Sequence, residues 1–166
     1  MAESPVLNDH VRTLSAKIGP LDILFRPMSR NDLDAICQLE KDIFKSPWSR
    51  RSFEIELSRP EYSHSCVLEH HHSIIAYTVL WFMADECHIA NLAVAANYRN
   101  RGIGSWFLKK IIEIAKDERS TIIHLEVRTT NDAAIRLYEK FEFEAVGIRR
   151  DYYSTGEDAL LMSLPI

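Results

Sequence analysis

The spacing of apolar and polar positions changes several times along the chain, and each change marks an element. Ile23-Leu24-Phe25 reads as a strand ended by Pro27. Ser29 stands three residues before Asp32 in an acidic capping-box pattern, and Leu33, Ile36, Cys37, Ile43 and Phe44 follow at helical spacing. Lys45-Ser46-Pro47-Trp48 breaks that helix, and Ser49 caps a second one that carries Phe53 and Leu57 and stops at Pro60. The middle is β-rich, with strands over 65–69 and 74–82 around a tight turn at His70-His71-His72-Ser73, then a third over 87–94. The helix expected over 105–117 carries its apolar stripe on Phe107, Leu108, Ile111, Ile112 and Ala115, with Lys109, Lys110, Glu113 and Lys116 outside. A strand over 121–128 follows, then a short helix over 132–141 capped by Thr130 or Asn131, then two closing strands near 145–152 and 159–164.

This order implies a mixed α/β fold, one sheet with helices on both faces. Residues 1–21, with Pro5, Gly19 and Pro20 and weak periodicity, read as an N-terminal extension of uncertain order with at most one helical turn. The fold proper is expected over 22–166. A chain of 166 residues suits one domain and buries enough surface to fold without disulfides. With 46% hydrophobic and 27% charged residues it is neither disordered nor fibrous. The longest apolar run, over 74–84, is too short to span a bilayer, and the N-terminus lacks the apolar core of a signal peptide. Cys37, Cys66 and Cys87 are odd in number and form no CxxC, so they read as reduced thiols in a cytoplasmic protein. A net charge of −4 argues against a nucleic-acid partner and suits a basic one.

The chemistry concentrates in three places. Arg99-Asn100-Arg101-Gly102-Ile103-Gly104 lies between a strand and a helix start, where unpaired N–H groups, the helix dipole and two arginines favour a phosphate. A Walker A loop would end in Gly-Lys-Ser/Thr, but here Gly104-Ser105-Trp106 stands; a dinucleotide fingerprint would need a small residue where Phe107 is. Strand alternation puts His124, Glu126 and Arg128 on the face opposite Ile123, Leu125 and Val127. Glu126 reads as a proton acceptor or as a solvated carboxylate that pairs with Arg128. Tyr138 follows Asn131 by about two helical turns, so both can address one ligand.

The pattern Arg99-x-x-Gly102-x-Gly104 resembles the acetyl-coenzyme A pyrophosphate loop of the GCN5-related N-acetyltransferase superfamily. Ser46-Pro47-Trp48-Ser49, the run from Leu125 to Asn131, Leu137-Tyr138, Phe143, Arg149-Arg150-Asp151-Tyr152-Tyr153 and Glu157-Asp158-Ala159 narrow this. They resemble the bacterial ribosomal-protein-alanine N-acetyltransferase family, over about residues 22–166. The resemblance implies an acyl-CoA N-acyltransferase fold, with a mostly antiparallel central sheet of about seven strands splayed at the cofactor site. It implies acetyl-CoA as acetyl donor, with Leu92, Ala93 and Val94 holding the pantetheine arm through their backbone. Arg99, Asn100, Arg101, Gly102, Ile103, Gly104 and Ser105 would hold the pyrophosphate, and Asn131 would contact the cofactor arm. Glu126 would be the general base and Tyr138 the general acid.

The acceptor implied is a basic protein N-terminus, the terminal alanine of the eighteenth small-subunit ribosomal protein. A monomer with no metal, nucleic-acid or membrane partner is expected. Other protein N-termini or small amines are the alternative acceptors, and a non-catalytic acyl-CoA sensor is the alternative role. Trp48, Tyr152 and Tyr153 line the peptide groove or pack as core aromatics; the resemblance favours the groove for the tyrosines. Glu54, Glu56, Glu61, Glu157 and Asp158 are expected near the acceptor side. Two departures from the family are visible: Glu142 stands where a glycine is usual, and the loop between Tyr153 and Glu157 is shorter than in many relatives. His70-His71-His72 sits in a hairpin turn without a partner pattern, which argues against metal there.

Overall fold

The alternating segments assemble into one eight-stranded sheet in the computed structural model, which describes residues 11–166. The strands are β1 (Leu14–Ile18), β2 (Leu21–Pro27), β3 (Ser63–His70), β4 (Ser73–Met83), β5 (Glu86–Val94), β6 (Ile122–Arg128), β7 (Glu144–Arg149) and β8 (Ala159–Pro165). Their spatial order is β1-β2-β3-β4-β5-β6-β8-β7. Every neighbouring pair is antiparallel except β5 and β6.

Among the described residues four α-helices cover the two faces. On one face α1 (Leu33–Ile43) and α2 (Arg50–Leu57) bury Leu33, Ile36 and Phe53 against Val67, Tyr77, Val79 and Ala93. On the other, α3 (Ile103–Asp117) and α4 (Asp132–Lys140) bury Phe107, Leu108, Ile111 and Tyr138 against Phe25, Leu68, Ile123, Leu125 and Val127. The helical and strand periods expected from the sequence are thus both expressed. The starts follow the expected chemistry too. Ser49 caps α2 by accepting from the Ser52 N–H at 3.1 Å, and Asp32 accepts from the Ser29 N–H at 2.7 Å. His71 and His72, at φ 46° and 63°, make the two-residue β3–β4 turn.

The eighth strand is a departure. Leu14, Ala16 and Ile18 alternate with polar residues, and Gly19-Pro20 turns the chain so that β1 pairs with β2 along its whole length. Val11, Ile18 and Leu21 are buried in the larger core. Residues 14–18 therefore belong to the sheet and Val11 to its core, and only residues 1–10 lie outside the described residues. The expected helical turn is not found in 11–20; the rest of that expectation lies outside the described residues. The last hairpin also differs: β7 stops at Arg149, and residues 150–158 form the turn that leads to β8.

Glu142 ends α4 with φ 67°, the left-handed conformation that a glycine adopts without strain. The end holds nonetheless, because the Phe143 N–H reaches the Tyr138 carbonyl at 3.1 Å. Glu142→Gly should stabilise the protein by about 1 kcal/mol, the left-handed penalty less glycine's extra chain entropy. Urea denaturation checks this, and no gain would mean that the Glu142 side chain makes a compensating contact.

Candidate active site

β5 and β6 run parallel and pair only from Glu86–Ile122 to Ile89–Leu125. Beyond that they part. The β4–β5 register steps at Ala90, since Leu80 faces Ile89 but Val79 faces Asn91. An extra residue bends the strand that carries it, so β5 swings away from β6. The Asn91 carbonyl takes a hydrogen bond from Thr78 Oγ1 at 2.8 Å. The β6-facing backbone groups of residues 90–94 have no ladder partner from β6. A cleft of about 890 Å³ opens in this wedge, with Leu92, Ala93 and Val94 on one wall and Glu126 and Arg128 on the other.

The N-terminus of α3 closes one end of the cleft. Gly102 is its N-cap at φ 82°, a backbone that only glycine takes without strain. At Gly104 an added Cβ would lie 3.1 Å from Leu137 Cδ2, so this glycine also lets α3 approach α4. Arg99, Asn100, Gly102, Gly104 and Ser105 line the cleft. Arg99 folds back over the end of β5, its Nε donating to the Val94 carbonyl at 3.1 Å. Asn131 caps α4 by accepting from the Ala134 N–H at 3.2 Å and lines the same cleft. Two expected phosphate-loop residues stand elsewhere. The Ile103 side chain is buried in the core, 1% exposed, which leaves only its backbone for a ligand. Arg101 is absent from the lining, and its guanidinium sits over the Tyr98 ring, 5.5 Å from the centroid.

Glu126 and Tyr138 reach this cleft from opposite faces of the sheet. Glu126 is on the α1–α2 face of β6, where Arg149 Nη1 pairs with its Oε1 at 2.7 Å. The Arg128 partnership that the sequence suggested is not formed; Arg128 pairs with Glu157 and lies 3.9 Å over the Tyr153 ring. Tyr138 is buried, and burial pushes its phenol well above the usual range, with Tyr153 adding to the push. The hydroxyl therefore keeps its proton throughout the neutral range. Tyr152 and Tyr153 sit on the 150–158 turn and line the cleft. The Tyr152 phenol is raised first by its hydrogen bond to Glu126, then by burial. Tyr153 is pushed up to about 12 by burial, against the pull of Arg128. Trp48 is both accessible to the cleft and packed against another aromatic. It lines the cleft and stacks on Trp81, with centroids 6.4 Å apart.

Glu40 was not singled out by the sequence. It is 1% exposed on the apolar stripe of α1 and lines the cleft floor. Its Oε1 accepts from the Tyr77 hydroxyl and, at 2.6 Å, from Asn91 Nδ2; its Oε2 accepts from the Trp48 N–H at 2.6 Å. One carboxylate thus ties the bent part of β5 to the loop after α1. The available signal was its spacing, four residues after Ile36 on a face otherwise apolar.

Burial pushes the Cys66 thiol up and the Cys87 thiol up to about 12, as suits packed thiols and not nucleophiles. Of the acidic residues expected beside the acceptor, only Glu157 lines the cleft, and Arg128 pairs with it. Glu54 is engaged by Arg50 at 3.2 Å and Glu56 by Trp81 Nε1 at 2.9 Å. Among the described residues no helix is long and apolar enough to cross a membrane.

Residues 33–143 match the acetyltransferase (GNAT) family. The ribosomal protein bS18-alanine N-acetyltransferase of Salmonella typhimurium is 34% identical over 142 residues, covering 84% of this chain and 95% of its own. The N-alpha-acetyltransferase RimI of Mycobacterium tuberculosis is 32% identical, covering 81% of this chain and 87% of its own. In structure, the ribosomal-protein-S18-alanine N-acetyltransferase of Escherichia coli superposes with a TM-score of 0.79 at 31% identity, over 87% of this chain and 94% of that one.

Proposed function

The chain belongs to the acetyltransferase (GNAT) family, and from that premise we propose that it acetylates the terminal alanine of ribosomal protein bS18, in the cytoplasm. The enzyme transfers acetyl from acetyl-CoA to an N-terminal α-amine. The observation that carries the site assignment is the β5–β6 wedge, which brings Glu126 and Tyr138 into one cleft beside a helix N-terminus.

The residues present fit the donor. The unpaired edge of residues 90–94 offers backbone donors and acceptors to an extended amide-bearing arm. The start of α3 and the Arg99 guanidinium suit a pyrophosphate. Acetyl-CoA supplies a thioester carbonyl when bound. Glu126 takes the proton of the incoming ammonium, and Tyr138 offers its hydroxyl to the departing sulfur. An unperturbed carboxylate is about 3.5 pKa units weaker than an α-amine, on the order of 5 kcal/mol uphill for direct abstraction. Glu126 is partly open and held by Arg149, so we assign it a relay through water, which lets the carboxylate serve the ammonium without direct contact. Trp48, Tyr152 and Tyr153 flank the acceptor's first residues.

The test is a peptide panel. At pH 7 an α-amine of pKa about 8 is neutral on the order of 200-fold more often than a lysine of about 10.4. A basic bS18-like peptide beginning with alanine should be acetylated at its terminus. The same peptide with a blocked terminus and free lysines should react about 10²-fold more slowly or not at all. Equal rates on both would overturn the terminal-amine assignment. Because Glu157 is neutralised in the cleft, an acidic peptide with a free terminal alanine should lose little rate through charge alone.

A further inference from the structure

Among the described residues, one group of three metal-ligating side chains converges: Glu86, His88 and His124, whose ligand atoms all lie within 4.8 Å of one another. They come from the paired base of the β5–β6 wedge, where His88 and His124 are register partners on one face and Glu86 lies two residues before His88. Their imidazole centroids are 5.0 Å apart. His88 Nε2 is 2.9 Å and His124 Nε2 is 3.7 Å from the same oxygen, Glu86 Oε2. All three side chains are partly exposed, at 31%, 30% and 45% for His88, His124 and Glu86. None of them lines the catalytic cleft.

We propose that Glu86, His88 and His124 form a binding site for a borderline divalent transition metal, with Zn²⁺ the best match. Two imidazoles and one carboxylate are a donor set that suits Zn²⁺ and its neighbours, not Ca²⁺ or Mg²⁺. Ligand atoms about 2.0–2.1 Å from a tetrahedral ion stand roughly 3.3 Å apart. The 2.9 Å and 3.7 Å separations bracket that value and every pair lies within 4.8 Å, so rotamer shifts of about 1.5 Å or less close the site. His124 Nδ1 lies 2.7 Å from Ser163 Oγ, on a residue only 5% exposed. The tautomer that donates from Nδ1 to that hydroxyl carries its lone pair on Nε2, the atom facing Glu86. A metal-binding histidine ordinarily has such a support on its other nitrogen. Solvent completes the fourth position, since the three side chains open outward.

The position also couples the site to the cleft. His124 and Glu126 are two residues apart on one face of β6, about 7 Å along the strand. A dication at His124 repels an ammonium arriving at Glu126. On the base role proposed for Glu126, occupation therefore lowers acetyl transfer.

The experiment titrates Zn²⁺ into the untagged full-length protein by calorimetry, with no substrate present. Saturable one-to-one binding is expected, with X-ray absorption reporting two imidazoles and one carboxylate at about 2.0–2.1 Å. His88→Ala, His124→Ala and Glu86→Gln should each weaken binding at least tenfold, and Ser163→Ala by about 10–100-fold. The exposed His71-His72 turn is the rival metal binder. Its replacement, His71→Asn/His72→Gly, should leave the isotherm unchanged. No saturable binding, or binding lost with His71 and His72 and retained without His88, overturns the site. Zn²⁺ should also slow peptide acetylation, followed by mass spectrometry, in the native protein and not in His88→Ala. Binding with undiminished turnover overturns the coupling to Glu126 and leaves the site itself standing.

Discussion

Glu126→Gln should lower turnover on an alanine-terminated peptide by about 10²–10⁴-fold, the contribution of a positioned acid–base group. Glutamine keeps the shape and removes only the ability to take a proton. Glu126 and Arg149 are 28% and 54% exposed, so losing their ion pair should change stability by less than about 1 kcal/mol. An activity loss is therefore not an unfolding loss, and thermal denaturation of the variant confirms this. The deficit should also depend on pH in a particular direction. As pH rises toward about 8, more of the α-amine is neutral without help, so the variant should recover toward the native rate. If Glu126 served only to hold Arg149, Arg149→Gln would cost as much and neither deficit would narrow with pH. A loss under about threefold, or one constant from pH 6 to 9, would remove Glu126 from the chemistry.

The parts of this site that lie on one element were legible in the chain. The alternation of Ile123, Leu125 and Val127 with His124, Glu126 and Arg128 gives the faces of β6 directly, because a strand's period is two. Asn131 caps α4, Gly102 supplies the left-handed turn into α3, and both follow from local backbone chemistry. What was not legible is convergence between elements. Glu40 meets Tyr77 across 37 positions and Asn91 across 51. Its spacing puts it on the core face of α1 but says nothing of what waits there. Arg149, the last residue of β7, takes the place of Arg128 as the partner of Glu126, and Arg128 pairs with Glu157 from the 150–158 turn. His88 and His124 become neighbours only through the parallel β5–β6 register. β1 was missed for a different reason. Three small or aliphatic positions broken by Ser15 and Lys17 make a weak signal, and its strength comes from pairing with β2.

Tyr138→Phe should lower kcat by about 10²-fold, near the low end of the range for a positioned acid, and leave acetyl-CoA affinity nearly unchanged. The low end is expected because a thiol of pKa about 8.5 leaves with little help. The ring itself stays, and with it the packing against Phe143, whose centroid is 5.7 Å away. The pH dependence separates this variant from Glu126→Gln. Burial raises the Tyr138 phenol, so its protonated, donating form persists from neutral pH through the range where an ordinary tyrosine near 10 would begin to ionise. The ratio of native to variant rates should therefore be flat between pH 6 and 9, while the Glu126→Gln ratio falls over the same span. Rapid-quench measurement of the first turnover, which excludes product release, is the decisive reading. An unchanged first turnover, or a raised KM with kcat intact, would make Tyr138 a packing residue and take it out of the chemistry.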